Sequence, residues 1–378
     1  MTNSTFIPKT ITVLGGGNSA FATSAELALY GHNVRLLELT EFSESIASIK
    51  NKRRILIEAP GLQGVPTGEA QLAHVTTDPD EAMNGTDVVF YVVPAYGEDR
   101  FTSLCLDYFL PSQLVVFFCG NLGGALTFAH HLLNAGRVDL PLILETDGLY
   151  FGGFKSGSTS VRLSGLKEGL VASTFPANRL SEGLRRLNSL FPGYEFLPAK
   201  NVIETGFRNM NPILHPPISV LNAGRSSPDI STFFYYREGT TYEVSQVMMR
   251  IDDERISVGK ALELDLKSSY ETLLKWYGWQ GASGNSLYEL LVNNPAYQSL
   301  KAPKTLNHRF ITEDVPYGLV PISALGRSVN RSTAVIDSLI TLASALLGQD
   351  MYACGRDLEA LGLNGLDRDG IQLYIQGA

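Results

Sequence analysis

Three short stretches of this 378-residue chain hold residues whose type and spacing suit chemistry. Gly15-Gly16-Gly17-Asn18-Ser19-Ala20 follows the apolar run Ile11 to Leu14 and fits the pattern GxGxxA. Gly15 permits a tight turn, Gly17 lets the backbone come up against a pyrophosphate, and the small Ala20 lets a helix pack closely on a sheet. Free amides from Asn18 to Phe21, aided by the helix dipole, would face that anion. The second stretch, Asn209-Met210-Asn211-Pro212-Ile213-Leu214-His215-Pro216-Pro217, sets a histidine before two prolines. Its restricted backbone suits a group that must be aimed. In the third, Arg309 and Asp314 put a guanidinium and a carboxylate into one loop. Each stretch also has a plainer reading: a loop that merely turns the chain, a structural histidine, a surface ion pair.

The elements around the glycine turn favour the dinucleotide reading. Ile11 to Leu14 reads as a buried strand, Asn18 onward as a helix closed by Gly31, and Val34 to Leu37 as a second strand. Glu38 then stands 21 residues past Gly17 (38 − 17), about where an acidic residue holds a ribose diol. Its charge would repel a 2′-phosphate, so NAD(H) is favoured; Arg35 and the basic cluster Lys50 to Arg54 keep NADP(H) open.

Further strands run from Asp87 to Val93, from Leu114 to Phe118 and from Leu142 to Leu144. In a doubly wound sheet the carboxyl ends of strands face the ligand crevice. Val93, Pro94 and Ala95 are therefore candidates to border the cofactor; the plainer reading is a proline that simply ends the strand. Asn121, in the second glycine loop Cys119 to Gly124, can hydrogen-bond the nicotinamide or a substrate, and Glu145 and Thr146 reach the same edge.

The expected fold is α/β: an N-terminal Rossmann-type doubly wound sheet over residues 1–197 and an all-helical domain over 198–378. The strand-helix alternation ends at Tyr194 to Pro198. Ser160 to Ser173 reads as a hairpin finishing the sheet, and Ala177 to Phe191 as one amphipathic helix. Tyr242 to Tyr277 reads as one long helix or two abutting ones, the charges of Met248 to Arg255 forming a solvated face. Ser332 to Leu347 and Met351 to Leu361 read as scaffold helices.

Hydrophobic residues make up 44% and charged residues 18%, which excludes a disordered or membrane-like chain. A net charge of −8 argues against nucleic acid and anionic membranes as partners. Cys105, Cys119 and Cys354 are too scattered for a disulfide framework or a metal site. Met1 to Thr10 lacks the basic start and apolar core of a secretory signal, and Thr333 to Leu347 is too short to span a bilayer. A soluble, cytoplasmic protein without a metal is expected.

Along nearly its full length the chain resembles the octopine/nopaline (opine) dehydrogenase family, particularly bacterial members that make N-(1-carboxyethyl) amino acids. The residues that carry the resemblance are GGGNSA, DVVFYVVPA, GNLGGAL, LET, NPILHPP, DDER, ITEDVPYGLVP and GRDLEALGL. NPILHPP and EDVPYGLVP are the most specific of them. The resemblance implies an active site between the two domains, with His215 and Asp314 as catalytic dyad and Arg309 as carboxylate-binding group. It places polar substrate contacts at Thr146 and Asn121; glutamine is usual at the latter, so Asn121 shortens that reach. VPAYGE also departs from the histidine-bearing form of that strand end.

The implied reaction is reversible: an amino acid and an α-keto acid, typically pyruvate, condense to an imine that NAD(P)H reduces. A homodimer is compatible with this reading. The lesser readings are a keto-acid reductase resembling ketopantoate reductase, whose lysine pattern KNVIETGFRN around Lys200 does not reproduce, and a dinucleotide-binding sensor without chemistry.

Overall fold

The computed structural model describes residues 7–226 and 232–377. The first six residues of the stretch read above as lacking a secretory signal lie outside these.

Among the described residues, eight strands form the main sheet. From Thr10–Leu14 the sheet grows one way through Asn33–Leu37 and His74–Thr76, and the other way through Val88–Tyr91, Leu114–Phe117, Leu142–Thr146, Val171–Phe175 and Leu197–Pro198. All pairings are parallel except that of Val171–Phe175 on Leu142–Thr146. The strand order reverses at Thr10–Leu14, so the crevice expected at a topological switch point opens beside the glycine turn. The sheet is covered on both faces. Val88 and Phe90 join one apolar core, while Val89 and Tyr91 join the other. That is why these strands read as continuous apolar runs rather than alternating ones.

Side-chain caps fix many of the helices that follow. Asn201, Thr241 and Ser286 each accept a backbone amide three residues on, and Ser268 with Glu271 forms a capping box. Both apolar cores continue into this helical region through Met210, Leu214 and Ile218 on one side and Ile213, Ile251 and Val315 on the other. The last helix, Arg368–Gln376, returns to the sheet, its Tyr374 ring 5.3 Å from that of Phe175.

The structure corrects four local expectations. Phe151–Gly157 and Ser160–Leu166 do pair as a hairpin, but in a separate sheet with Arg54–Glu58 and Gly68–Gln71. The main sheet is continued instead by Val171–Phe175 and ends at the short edge strand Leu197–Pro198. Ala177 to Phe191 is a single 3-10 turn, Ala177–Arg179, followed by the helix Leu180–Asn188. Residues 351–361 are turns rather than a helix; buried Arg356 there donates from its guanidinium to the carbonyls of Gly120 and Leu122, and its amide donates to the Pro316 carbonyl rather than to a helical partner.

The charged run Met248 to Arg255 is the fourth. It lies in Tyr242–Ala261, which seven residues separate from Ser269–Tyr277, and it is not uniformly solvated: Asp252 and Arg255 are buried and form an ion pair at 2.7 Å. Arg255 also donates to the carbonyls of Phe207 and Lys267, and Asp252 accepts from the Ser269 amide. The pair thus ties three segments of the helical region together. Asp252→Ala would leave the guanidinium buried without its countercharge, which typically costs about 3–5 kcal/mol. A lowered urea midpoint at unchanged m-value is the expected result.

Candidate active site

The histidine segment folds as the helix Asn211–Leu221, with Pro212 in its first turn and Pro216 and Pro217 inside it. A residue before proline normally avoids helical backbone. Here the helix runs on because Pro212 through Val220 are all buried and the packing outweighs the local penalty. His215 is 8% exposed and its carbonyl accepts from the Tyr235 hydroxyl at 2.8 Å.

Asp314 follows the short helix Arg309–Thr312 and leads into the widened turn Val315–Leu319. Its Oδ2 lies 2.7 Å from His215 Nδ1, a contact across 99 residues of sequence. The far ring nitrogen, Nε2, is 2.8 Å from the Tyr236 hydroxyl. Phe310 packs on the imidazole, with centroids 4.1 Å apart and planes at 30°. The ring is held at both nitrogens and against one face.

Arg309 is not an isolated surface charge. Its Nε pairs at 2.9 Å with Glu313, which is buried. Burial pushes the Glu313 carboxyl up, Arg309 pulls it back, and the Arg309 guanidinium is in turn held above its ordinary range by Glu313. The other Glu313 oxygen accepts from the Ala95 amide at 3.1 Å and from Asn121 Nδ2 at 3.0 Å. Asn121 Oδ1 accepts from Asn209 Nδ2 at 2.7 Å. The ends of two sheet strands and the helix Arg309–Thr312 therefore meet at one carboxylate, and Asn209 joins them through Asn121. A cavity of about 580 Å³ opens beside Arg309, with Tyr96, His308, Tyr317 and Met351 in its wall. Burial beside the Arg309 charge lowers the His308 ring's affinity for a proton.

The residues expected to hold the dinucleotide gather at the switch point. Gly15 has φ +107°, and a side chain there would strike Val93 and the Val92 carbonyl. A Cβ on Gly16 would run into Ser45 and Glu38, whereas Gly17 faces open space. The helix Asn18–Leu29 starts without a side-chain cap, so its first amides are not taken by a neighbouring side chain. Ala20 is fully buried against the sheet, while Gly17 and Asn18 are exposed and Ser19 partly so. Glu38 accepts from the Leu39 amide at 2.7 Å and the Ser45 hydroxyl at 3.2 Å, and burial raises its carboxyl. Open glycine, uncapped amides and an acid beside the turn fit a dinucleotide. Pro94 caps the helix Ala95–Leu104, which places both residues at the expected strand end.

Thr146 and Asn121 reach the crevice edge with their polar groups engaged. The Thr146 hydroxyl donates to the Gly148 carbonyl at 3.0 Å, and the amide of Asn121 is divided between Glu313 and Asn209. Sequence reasoning missed Glu313, Tyr236 and Lys155. Lys155 comes from the small sheet to place its ammonium 2.9 Å from the Gly16 carbonyl, 3.0 Å from that of Ser45 and 3.5 Å over the Phe21 ring. Only Glu313 left a trace, as the i+4 partner of Arg309 next to Asp314.

The family model described as NAD/NADP octopine/nopaline dehydrogenase, alpha-helical domain, matches residues 198–347. An opine dehydrogenase of Arthrobacter sp. (strain 1C) is 34% identical over 368 residues, covering 97% of this chain and 99% of its own. Solved octopine dehydrogenase structures share the fold. One with NADH and L-arginine gives a TM-score of 0.80 at 22% identity, and one with NADH and pyruvate 0.78 at 21%, each covering 98% of both chains. With this similarity over nearly its whole length, the chain belongs to the octopine/nopaline (opine) dehydrogenase family of NAD(P)-dependent oxidoreductases acting on CH–NH donors.

Proposed function

We propose that this chain joins the amine of an amino acid to the carbonyl carbon of an α-keto acid, pyruvate by preference, and reduces the resulting imine to an N-(carboxyalkyl) amino acid. NAD(H) is the favoured cofactor, and when bound it supplies the hydride to the imine carbon. Octopine dehydrogenases solved with L-arginine and with pyruvate support substrates of these two classes.

The observation that carries the assignment is the 2.7 Å contact between His215 Nδ1 and Asp314 Oδ2. Asp314 can only accept when ionised, so it holds the ring proton on Nδ1 and stabilises the imidazolium. An imidazole titrates close to neutrality and can both give and take a proton there. Giving a proton to the keto oxygen lets that oxygen leave as water once the amine has added. Taking one from the amine nitrogen lets the addition proceed. Arg309 presents a forked donor to the keto-acid carboxylate, while Glu313 fixes its Nε side.

Arg309→Ala is accordingly expected to raise KM for the keto acid about tenfold to a hundredfold, the loss of a charged hydrogen-bonded contact. Initial rates at varied pyruvate with the amine saturating measure it, and kcat should fall by less than KM rises. The function itself is tested by NADH oxidation across a panel of amino acids, with each substrate omitted in turn. Consumption that needs both amine and keto acid is expected. Consumption with keto acid alone favours a simple reductase, and none at all a sensor. The three thiols are free, which accords with a cytoplasmic setting.

A further inference from the structure

We propose that Tyr236 is a positioning residue for His215, holding Nε2 of the imidazole in both of its protonation states; this rests on the acid–base reading of His215 given above. Tyr236 is 3% exposed, and its hydroxyl has the His215 ring as its hydrogen-bond partner at 2.8 Å. Its own ring stacks on Tyr297 with centroids 4.0 Å apart and planes at 14°, and Tyr297 leans on Tyr277 at 5.3 Å. A tyrosine fixed in this way cannot swing far from the imidazole.

The chemistry of a phenol suits the place. With Asp314 fixing the proton on Nδ1, neutral imidazole presents a lone pair at Nε2, and the Tyr236 O–H donates to it. Imidazolium presents an N–H at the same position, and the same oxygen accepts it. One hydroxyl therefore serves both states without the ring turning. A carboxylate there would favour the charged form alone, and an apolar side chain would leave a buried nitrogen unpaired. Burial keeps the phenol far above its ordinary titration range, so its proton stays available throughout. The substrate oxygen then competes with a neutral partner for Nε2 rather than with a charge.

Among the described residues, the groups around the imidazole are few. Asp314 and Tyr236 touch it, His308 and Arg309 stand on the adjoining turn, and Phe310 and Tyr235 supply ring surface. Tyr236→Phe removes one oxygen and keeps the stack on Tyr297. The expected result is NADH binding within twofold of the native enzyme by fluorescence titration and a kcat lower by about tenfold to a hundredfold. Both states lose the contact, but imidazolium loses the stronger, charge-assisted bond, so the limb of the pH–rate profile that reports the imidazole should move down by about one pH unit. Tyr235→Phe, which leaves Nε2 untouched, should not move that limb. Native kcat and an unmoved limb in Tyr236→Phe would overturn the proposal; so would a lower kcat with an unmoved limb, which marks a merely structural loss. Should that variant not fold, 15N resonances of the native His215 ring decide instead: a neutral ring with its proton on Nε2 rules the arrangement out. Full turnover in His215→Ala would defeat the acid–base reading itself, a separate outcome.

Discussion

His215→Ala lowers kcat by about 10²–10⁴-fold, the usual worth of a positioned acid–base group, and leaves the dissociation constant for NADH where it was. The two halves of this expectation come from different parts of the molecule. The imidazole belongs to the helix Asn211–Leu221 and touches Asp314, Tyr236 and Phe310, whereas the glycine turn and Glu38 lie at the sheet's switch point. Alanine removes the ring and leaves a small space beside Phe310, with no charge stranded except that of Asp314. Turnover should fall at every pH rather than shift along the pH axis, because no other group takes the place of Nε2. Stopped-flow measurement of the chemical step, with NADH binding followed by fluorescence, separates the two effects. A variant that turns over normally would remove the imidazole from the mechanism.

Asp314→Asn is expected to have the second-largest effect, about 10²-fold or more in kcat with the fold retained. The amide matches the carboxylate in size and sits in a place only 2% exposed, so packing is preserved. What changes is the instruction given to the ring. Asparagine can turn its NH₂ toward Nδ1, which forces the proton to Nε2, or turn its oxygen there and keep the tautomer without the charge that stabilises imidazolium. Either way the acid form becomes scarcer. The pH–rate profile distinguishes this from simple loss of fold: the imidazole limb should move to lower pH, and an unmoved limb in a folded variant would take Asp314 out of the dyad. Arg309 and Glu313 adjoin this residue, so double variants with them are not expected to be additive.

The strand, glycine turn and helix at the sheet's switch point were legible because their physics is local. A tight turn, an approach to phosphate and a close helix each demand a small residue at a fixed offset, and Gly15, Gly17 and Ala20 meet those demands within one turn of chain. The apolar strands are equally plain, since both faces of the sheet are covered. The histidine site was legible only through resemblance. His215 and Asp314 are 99 residues apart, and nothing in either segment says that they meet. Tyr236 left no signal at all: one tyrosine in Phe233-Phe234-Tyr235-Tyr236 looks like any other until the fold selects it. The charges of Met248 to Arg255 misled for a related reason. A charged residue on a helix is solvated by default, and what buries Arg255 is a pair of carbonyls 48 and 12 residues away. The small sheet escaped because Ser160–Leu166 pairs in parallel with Arg54–Glu58, a long-range partner that no local pattern names.

The most direct test of the central claim follows the atoms. NADH carrying deuterium at the transferred position, pyruvate and a 15N-labelled amino acid that supports turnover are incubated with the enzyme, and the products are read by mass spectrometry. Deuterium and 15N in one molecule, joined through a new bond from nitrogen to the former keto carbon, is the predicted result. Deuterated lactate beside an unchanged amino acid would contradict it.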